Sequence, residues 1–272
     1  MKNRNIVFAA ILFLTVLFIL IPVLLVVVWS FVSRWSWPEL LPQGVSLRGM
    51  EELFGEHSGV FGILFSSILL SLTAAVIATV IGLMSARAFV FYEFRGKAFL
   101  RFGAMLPMII PANVFAMGIH VVFIRWGLSD TVHGVLVCHV IYCLPYTISI
   151  LTEMTESVGK KYEEQSLVLG YSPVNTFFHI TLPLLLPAVL SSSAMAYIIS
   201  FSQYFLTVLI GGGKVKTFSM IMVPYITGGD RTVSSAYVML FLLSSLFLFV
   251  LFEFIMKRLV HRLRGKTYEI ET

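Results

Sequence analysis

Charge is what this sequence lacks most. Of its 272 residues only 12% are Asp, Glu, Lys or Arg, while 58% are hydrophobic and the mean hydropathy is +0.93. A soluble domain carries roughly 25% charged residues and somewhat under half apolar ones. This chain therefore has too little polar surface to cover a globule in water, which excludes a soluble enzyme and a disordered chain. Cysteine is scarce as well. Two thiols are too few to staple a small secreted domain, and Cys138 and Cys143, five apart in one apolar run, read as buried free thiols. A G-x-x-x-x-G-K-[ST] phosphate loop is missing, and Gly211-Gly212-Gly213-Lys214 has the wrong glycine spacing to replace it. The apolar runs contain no paired acids and no histidine beside an acid. His133 and His139 are six apart instead of three or four, and His120 is farther still, so no metal site is expected. No catalytic residue is expected either.

What the chain has is long apolar runs. A helix needs about 20 apolar residues to cross roughly 30 Å of hydrocarbon. Residues 6–31, 60–84, 102–124, 131–151, 184–210 and 234–256 meet that requirement, the fourth interrupted by His133, His139 and Pro145. The first run is too long for a signal-peptide core of about 7–15 residues and lacks a small-x-small cleavage site, so it reads as a retained span. Pro107, Pro111, Pro145 and Pro187 lie inside spans. Proline frees backbone groups that must find partners within a bundle. The expected fold is an all-α integral membrane protein of six packed helices, one domain over 1–272, with no soluble domain and no internal repeat.

The net charge of +5 is distributed in short clusters between these runs, which points to membrane orientation instead of nucleic acid. With the N-terminus inside, thirteen of the 19 basic residues fall on the inner side, among them Arg87, Arg95, Lys97, Arg101, Lys160, Lys161 and the five from Lys257 to Lys266. Both termini are thus expected in the cytoplasm. Trp35 and Trp37 follow the first span, as an aromatic belt at the outer interface does. The outer segment 33–59 is acidic, carrying Glu39, Glu51, Glu52 and Glu56, and 47–54 reads as a short surface helix capped by Ser46. The outer segment 211–232 has glycine-rich ends around an amphipathic stretch at 218–225. That stretch is either part of a docking surface or an ordinary interfacial loop.

The inner loop 152–181 is the most informative segment. Residues 161–169 read as one helix stopped by Gly170. Ser172-Pro173 reads as an N-cap with proline in the first turn of a second helix, running through Phe177, Phe178 and Ile180 into Leu182-Pro183. Together they form a knob that a soluble partner can grip. Glu164-Gln165-Ser166, three residues, Gly170, nine residues, then Ile180-Thr181-Leu182-Pro183 resembles the signature loop of bacterial ABC import permeases, the binding-protein-dependent, MetI-like family. There the pattern reads Glu-Ala-Ala, three residues, Gly, nine residues, Ile-x-Leu-Pro. Gln165 and Ser166 replace the two alanines.

The resemblance implies a six-helix permease of the bacterial inner membrane, surrounded by lipid, with no nucleic-acid partner. It implies a cytoplasmic ABC ATPase dimer that binds ATP and Mg, a second permease subunit, paralogous rather than identical, and an extracytoplasmic solute-binding protein. Glu164 contacts the ATPase in that scheme, and Gly170 supplies the turn between two coupling helices. Trp37-Pro38-Glu39-Leu40-Leu41-Pro42, Ser46-Leu47-Arg48-Gly49 and Ser200-Phe201-Ser202-Gln203-Tyr204 are similar to permeases of the polyamine, thiamine, ferric iron and aminoethylphosphonate group. The implied substrate is a small polar or charged solute.

Polar residues inside a span are costly and usually face the interior. Tyr197, Ser200, Gln203, Tyr204 and Thr207 recur at three- and four-residue spacing, as one stripe on a helical fifth span. Asn113, Met117 and His120 do the same in the third. These two stripes are candidates for the substrate path, with interhelical hydrogen bonding as the alternative use. Ser191-Ser192-Ser193-Ala194 reads as a site of close helix approach. Glu253 is the main charge within a span, which argues against a proton relay. A non-transporting membrane anchor and an intramembrane enzyme remain the alternatives to a transport subunit.

Overall fold

The structure, a computed structural model, describes residues 2–33, 39, 42–55 and 59–268. Arg34, Trp35, Trp37, Pro38, Leu40, Leu41 and Glu56 lie outside the described residues, as do the side chains of Lys2, Arg4, Arg262, Arg264 and Lys266.

Among the described residues the chain is helical apart from a single antiparallel bridge between Val32 and Val45. Helix α1 spans Lys2–Trp29 and α2 Arg48–Phe54. Helix α3 spans Val60–Phe91, well beyond the apolar run that ends at residue 84. Its 32 residues rise about 48 Å, more than the hydrocarbon core needs. The third apolar run is two helices, α4 Lys97–Ile109 and α5 Ala112–Arg125, bent by 116°. The span expected at 102–124 is therefore not one straight helix, and the cause of the bend is local. Pro111 disfavours helical backbone at the residue before it, and Ile110 is extended at φ −82°, ψ 135°.

Helix α6 spans Val132–Val158, opened by the Thr131 side chain accepting from the Gly134 amide at 3.0 Å. It continues seven residues past the expected end at 151, through residues assigned to the loop. The fifth run is also two helices, α9 Leu182–Ser202 and α10 Phe205–Gly211, separated by Gln203 and Tyr204. Helix α11 covers Phe218–Gly228 and α12 Arg231–Tyr268. Among the described residues, five helices are long and apolar enough to span a membrane, or six if the bent α4–α5 pair is one span.

The chain falls into two compact units, Met1–Gly62 with Ile221–Ser244, and Ile63–Met220 with Ser245–Thr272. In the first, α2 lies at the surface as expected, with Arg48, Glu51, Glu52 and Phe54 exposed, but it buries one face. Leu53 is fully buried, and Gly49 lies so close to α12 that a Cβ there would sit 2.9 Å from the Thr232 carbonyl oxygen. Arg48 pairs with Asp230, and Thr232 Oγ1 donates to the Val32 carbonyl at 2.8 Å. Ser46, the expected cap, accepts at Oγ from the Arg48 amide at 3.1 Å but sits one residue before the N-cap position, Leu47, whose side chain caps nothing.

In the second unit α6 is central and packs most extensively on α9. Ala74, Ala78, Gly82 and Ala86 recur every fourth residue on α3, and all are buried. Small residues at that spacing let helix backbones approach closely. Thr147 of α6 fills the space, its Oγ1 donating to the Ala78 carbonyl at 3.1 Å. One apolar cluster joins α5, α6 and α10 through Ala116, Phe123, Cys138, Leu206 and Ile210, and a second joins α3, α6 and α9 through Leu83, Leu151 and Leu185. Of the 191–194 run, Ser192, Ser193 and Ala194 are buried and Ser191 is exposed. Glu253 pairs with Lys257 one turn along α12 at 2.7 Å.

Candidate functional site

Two features of the second unit concentrate polar chemistry: the gap between α9 and α10, and the connection from α6 to α9.

At the gap, Gln203 has extended backbone, φ −71° and ψ 111°, with no proline or glycine to force it. Hydroxyl groups satisfy its carbonyl instead. Thr207 Oγ1 donates to it at 2.9 Å and Ser219 Oγ at 2.8 Å. Irregular backbone at membrane depth persists only where such partners exist. His139 of α6 braces both sides of the gap, its Nδ1 2.8 Å from Ser200 Oγ and its Nε2 3.0 Å from Thr207 Oγ1. Thr207 has one proton, already given to Gln203, so Nε2 donates to Thr207 and Nδ1 accepts from Ser200. The Gln203 side chain lies beside that of Tyr142, whose ring is 6.0 Å from that of Phe115 on α5.

The expected stripe at 197–207 is therefore not one helix face. Ser200, Gln203 and Thr207 meet at the gap. Tyr197 points elsewhere, stacked on Phe201 with ring centroids 5.5 Å apart and beside Phe252 of α12 at 6.2 Å. Tyr204 is half-buried. On α5, Ala116 and Phe123 take the face against α10, which leaves Asn113 and Met117 exposed and His120 half-buried. His139 and Tyr142, three residues apart on one face of α6, belong to the gap and were not singled out from sequence as part of a path. Their polar spacing in an apolar helix was the available signal. No group of three or more His, Cys, Asp or Glu side chains lies together among the described residues.

His139→Leu is expected to remove the acceptor for Ser200 and the donor to Thr207. A buried hydroxyl left unpaired costs about 1–3 kcal/mol, so the midpoint of thermal unfolding in detergent should fall by several degrees. A variant as heat-resistant as the native chain contradicts this account of the gap.

The α6–α9 connection is a projecting knob. Helix α6 stops at Gly159, with φ +65°, and α7 covers Lys161–Val168. Gly170 holds φ +88°, a left-handed conformation that glycine adopts without strain. Ser172 then caps α8, Pro173–Thr176, its Oγ accepting from the Asn175 amide at 3.3 Å. A π-helical turn, Phe177–Thr181, carries α8 into α9 without interruption. Ser166 Oγ and Thr176 Oγ1 are 2.9 Å apart and buried, tying α7 to α8. The hydroxyl at 166, where the family pattern has alanine, thus has its own partner.

Glu163 anchors the base of the knob. Both of its oxygens accept from Arg87 of α3, at 2.6 and 3.1 Å, and Oε1 also accepts from Thr181 Oγ1 at 2.8 Å. Burial by itself raises the Glu163 carboxyl, but the hydrogen bonds from Arg87 and Thr181 and the charges of Arg87 and Lys160 outweigh it and hold the group below its ordinary value. Glu164 and Gln165 are exposed, and Ile180, Leu182 and Pro183 are half-buried at the junction with α9. Beyond them Val168 and Leu169 are 88% and 78% exposed, with Tyr171, Val174 and Phe178 exposed beside them. The tip is therefore apolar and open while the base is fixed by charge. Sequence reasoning did not find the Arg87–Glu163 pair, because 76 residues separate the partners and no local spacing links them.

The model of the binding-protein-dependent transport system inner membrane component family matches residues 78–265, from the small-residue face of α3 through the knob to α12. The chain belongs to this family. The permease is 25% identical to the putrescine transport system permease protein PotI of Escherichia coli over 221 residues, 75% of this chain and 74% of that one. It is 27% identical to the spermidine/putrescine transport system permease protein PotC of Haemophilus influenzae over 255 residues, 93% of this chain and 97% of that one. In fold it is similar to a chain from the crystal structure of a bacterial ABC transporter involved in the import of the acidic polysaccharide alginate. The TM-score is 0.71 at 17% identity, covering 93% of this chain and 96% of that one. The all-helical fold and the translocation-subunit role expected from the signature loop hold.

Proposed function

We propose that the permease forms one side of a path for a small polar or charged solute, with polyamines the first candidates, and that its knob takes up motion from a cytoplasmic ATPase. The observation that carries this reading is the knob, because Glu164, Gly170, Ile180, Leu182 and Pro183 stand at signature spacing on an element with an apolar, exposed tip and an ion-paired base. An apolar tip in contact with water is unfavourable, and a groove on a partner protein covers it. ATP and Mg are bound by that ATPase dimer and not by this chain. Thirteen of 19 basic residues lie on the side of the knob if both termini are cytoplasmic, in keeping with the positive-inside tendency.

The gap at Gln203 supports the path. Unwound backbone between half-helices is where transporters expose polar groups to a solute at mid-membrane depth. Hydroxyl, amide and phenol groups line it, and no carboxylate joins them among the described residues, so the charge that holds a polycation falls to the second permease. Asn113, Met117 and His120 on α5 and Tyr204 beside the gap complete this side, and Tyr197 serves packing. A second permease, a paralogue, closes the other side, and an extracytoplasmic solute-binding protein delivers the solute. Polyamines come first because two relatives of the permease, PotI and PotC, belong to putrescine and spermidine/putrescine transport systems.

The test is uptake of labelled putrescine, spermidine and 2-aminoethylphosphonate by cells without their own systems for these solutes, carrying the permease with the genes beside it. Saturable uptake of one of the three, abolished when the ATPase is inactivated, is expected. Uptake that persists without the ATPase contradicts the reading, and uptake of none removes the solute assignment.

A further inference from the structure

The knob has two ways to act on the transmembrane helices, and only one is covalent. Through the π-helical turn Phe177–Thr181 it is continuous with α9. Its connection to α3 consists of side chains. The guanidinium of Arg87 meets both Glu163 oxygens, and the pair is only 21% and 20% exposed. A two-pronged arginine–carboxylate contact fixes direction as well as distance, and partial burial protects it from screening by salt. The same guanidinium lies 5.3 Å from the ring centroids of Phe91 on α3 and Phe177 on the turn, within cation–π range of each. Thr181, the last residue before α9, donates to the same carboxylate at 2.8 Å. Lys160 closes the end of α3 by donating to the Phe91 carbonyl at 2.9 Å. One carboxylate on α7 therefore joins the knob, the start of α9 and α3 at a point.

We infer that Arg87 is a positioning residue for energy coupling: its pair with Glu163 fastens the knob to α3, so that displacement of the knob reaches α3 together with α9. This rests on the coupling role proposed above. A load passed to the end of α3 is carried along its length, because α3 is one uninterrupted helix packed backbone-close on α6 at Ala78 and Gly82. With the pair cut, the ATPase still grips the exposed tip and still moves α9, but α3 lags. Lysine at 87 keeps the charge and loses the two-pronged geometry.

The test uses the complete complex of this chain with its ATPase and companion permease, reconstituted in lipid vesicles. Three quantities are read for Arg87→Ala, Arg87→Lys, Glu163→Gln and the exchange Arg87→Glu with Glu163→Arg. They are ATPase retention on a tagged chain, ATP hydrolysis, and uptake of whichever solute of the panel above the native complex transports. For Arg87→Ala and Glu163→Gln, retention and hydrolysis within threefold of native are expected, with uptake reduced tenfold or more. Arg87→Lys should be intermediate, and the exchange should recover at least a third of native uptake. A raised ratio of hydrolysis to uptake is the signature that a merely structural role does not produce. Uptake within twofold of native in Arg87→Ala overturns the inference, as does loss of ATPase retention in parallel with uptake, which makes the pair a scaffold for the knob alone. If Arg87→Ala does not fold, Arg87→Lys and Glu163→Gln are read in the same way. Failure of the native chain to retain an ATPase is a different result, and it rejects the coupling role itself.

Discussion

Gly170→Val abolishes solute uptake while the chain still inserts in the membrane: this is the largest functional effect expected of a single substitution. Gly170 sits at φ +88°, and beyond its two chain neighbours no atom lies within 4 Å of where a Cβ would be. The cost is therefore in the backbone and not in a clash. A side chain in left-handed backbone costs roughly 1–2 kcal/mol, and β-branching adds to it. The chain relieves that strain by leaving φ +88°, which swings away the Tyr171 amide and breaks its bond to the Ser166 carbonyl at 3.1 Å. The Ser172 cap and α8 then turn away from α7, and the two halves of the knob no longer present one surface. Uptake tenfold or more below native is expected for Gly170→Val, with normal amounts of chain in the membrane. Gly170→Asn should do far less, because asparagine tolerates this conformation. Native uptake in the valine variant refutes the role given to the turn.

The second large effect is structural. A Cβ at Gly82 would lie 2.6 Å from Thr147 Oγ1, 2.9 Å from Thr147 Cβ and 3.3 Å from Leu151 Cδ1. Gly82→Val must push α3 off α6, and with it the bond from Thr147 to the Ala78 carbonyl. Overpacking of this kind typically costs about 1–3 kcal/mol, and here the Thr147 hydrogen bond is lost as well. Membrane yield should drop several-fold and the unfolding midpoint in detergent should fall. Gly82→Ala combined with Thr147→Ala should recover part of the loss of Gly82→Ala alone, since the nearest atom is gone. Gly118→Ala is the control: no atom outside its own helix lies within 4 Å of a Cβ at that position, and stability should hold or rise by about 0.5–1 kcal/mol.

These sites differ in how far the sequence announced them. The apolar runs were readable because membrane burial demands about 20 consecutive apolar residues, a requirement that tolerates no disguise. The knob was readable because its turn, cap and stop signals are local: Gly170, Ser172 and Pro173 lie within four residues, and all three adopt the expected geometry. The bend at Ile110–Pro111 was half readable, since proline marks the place but not the 116° angle. The gap at Gln203 was not readable. No breaker residue stands there, and the hydroxyl that holds its carbonyl from outside comes from Ser219, sixteen positions along the chain. Helix α2 was readable as a surface helix from the acidic residues of its segment, but not the face it buries through Gly49 and Leu53. The Arg87–Glu163 pair was hidden for the same reason as the gap, because tertiary structure and not sequence spacing brings the partners together. The small-residue repeat Ala74, Ala78, Gly82, Ala86 stands in the sequence, but in a run that is apolar on every side its spacing alone does not mark the buried face.

The central claim is that the knob is the handle for an ATPase. The most direct measurement is affinity purification of the permease in mild detergent, with identification by mass spectrometry of every protein retained, for the native chain and for the combined Glu164→Ala, Gly170→Val variant. An ABC ATPase recovered with the native chain and at least tenfold depleted with the variant, at equal yield of permease, is the predicted result. A well-folded native chain that retains no ATPase, or a variant that retains it fully, contradicts the account.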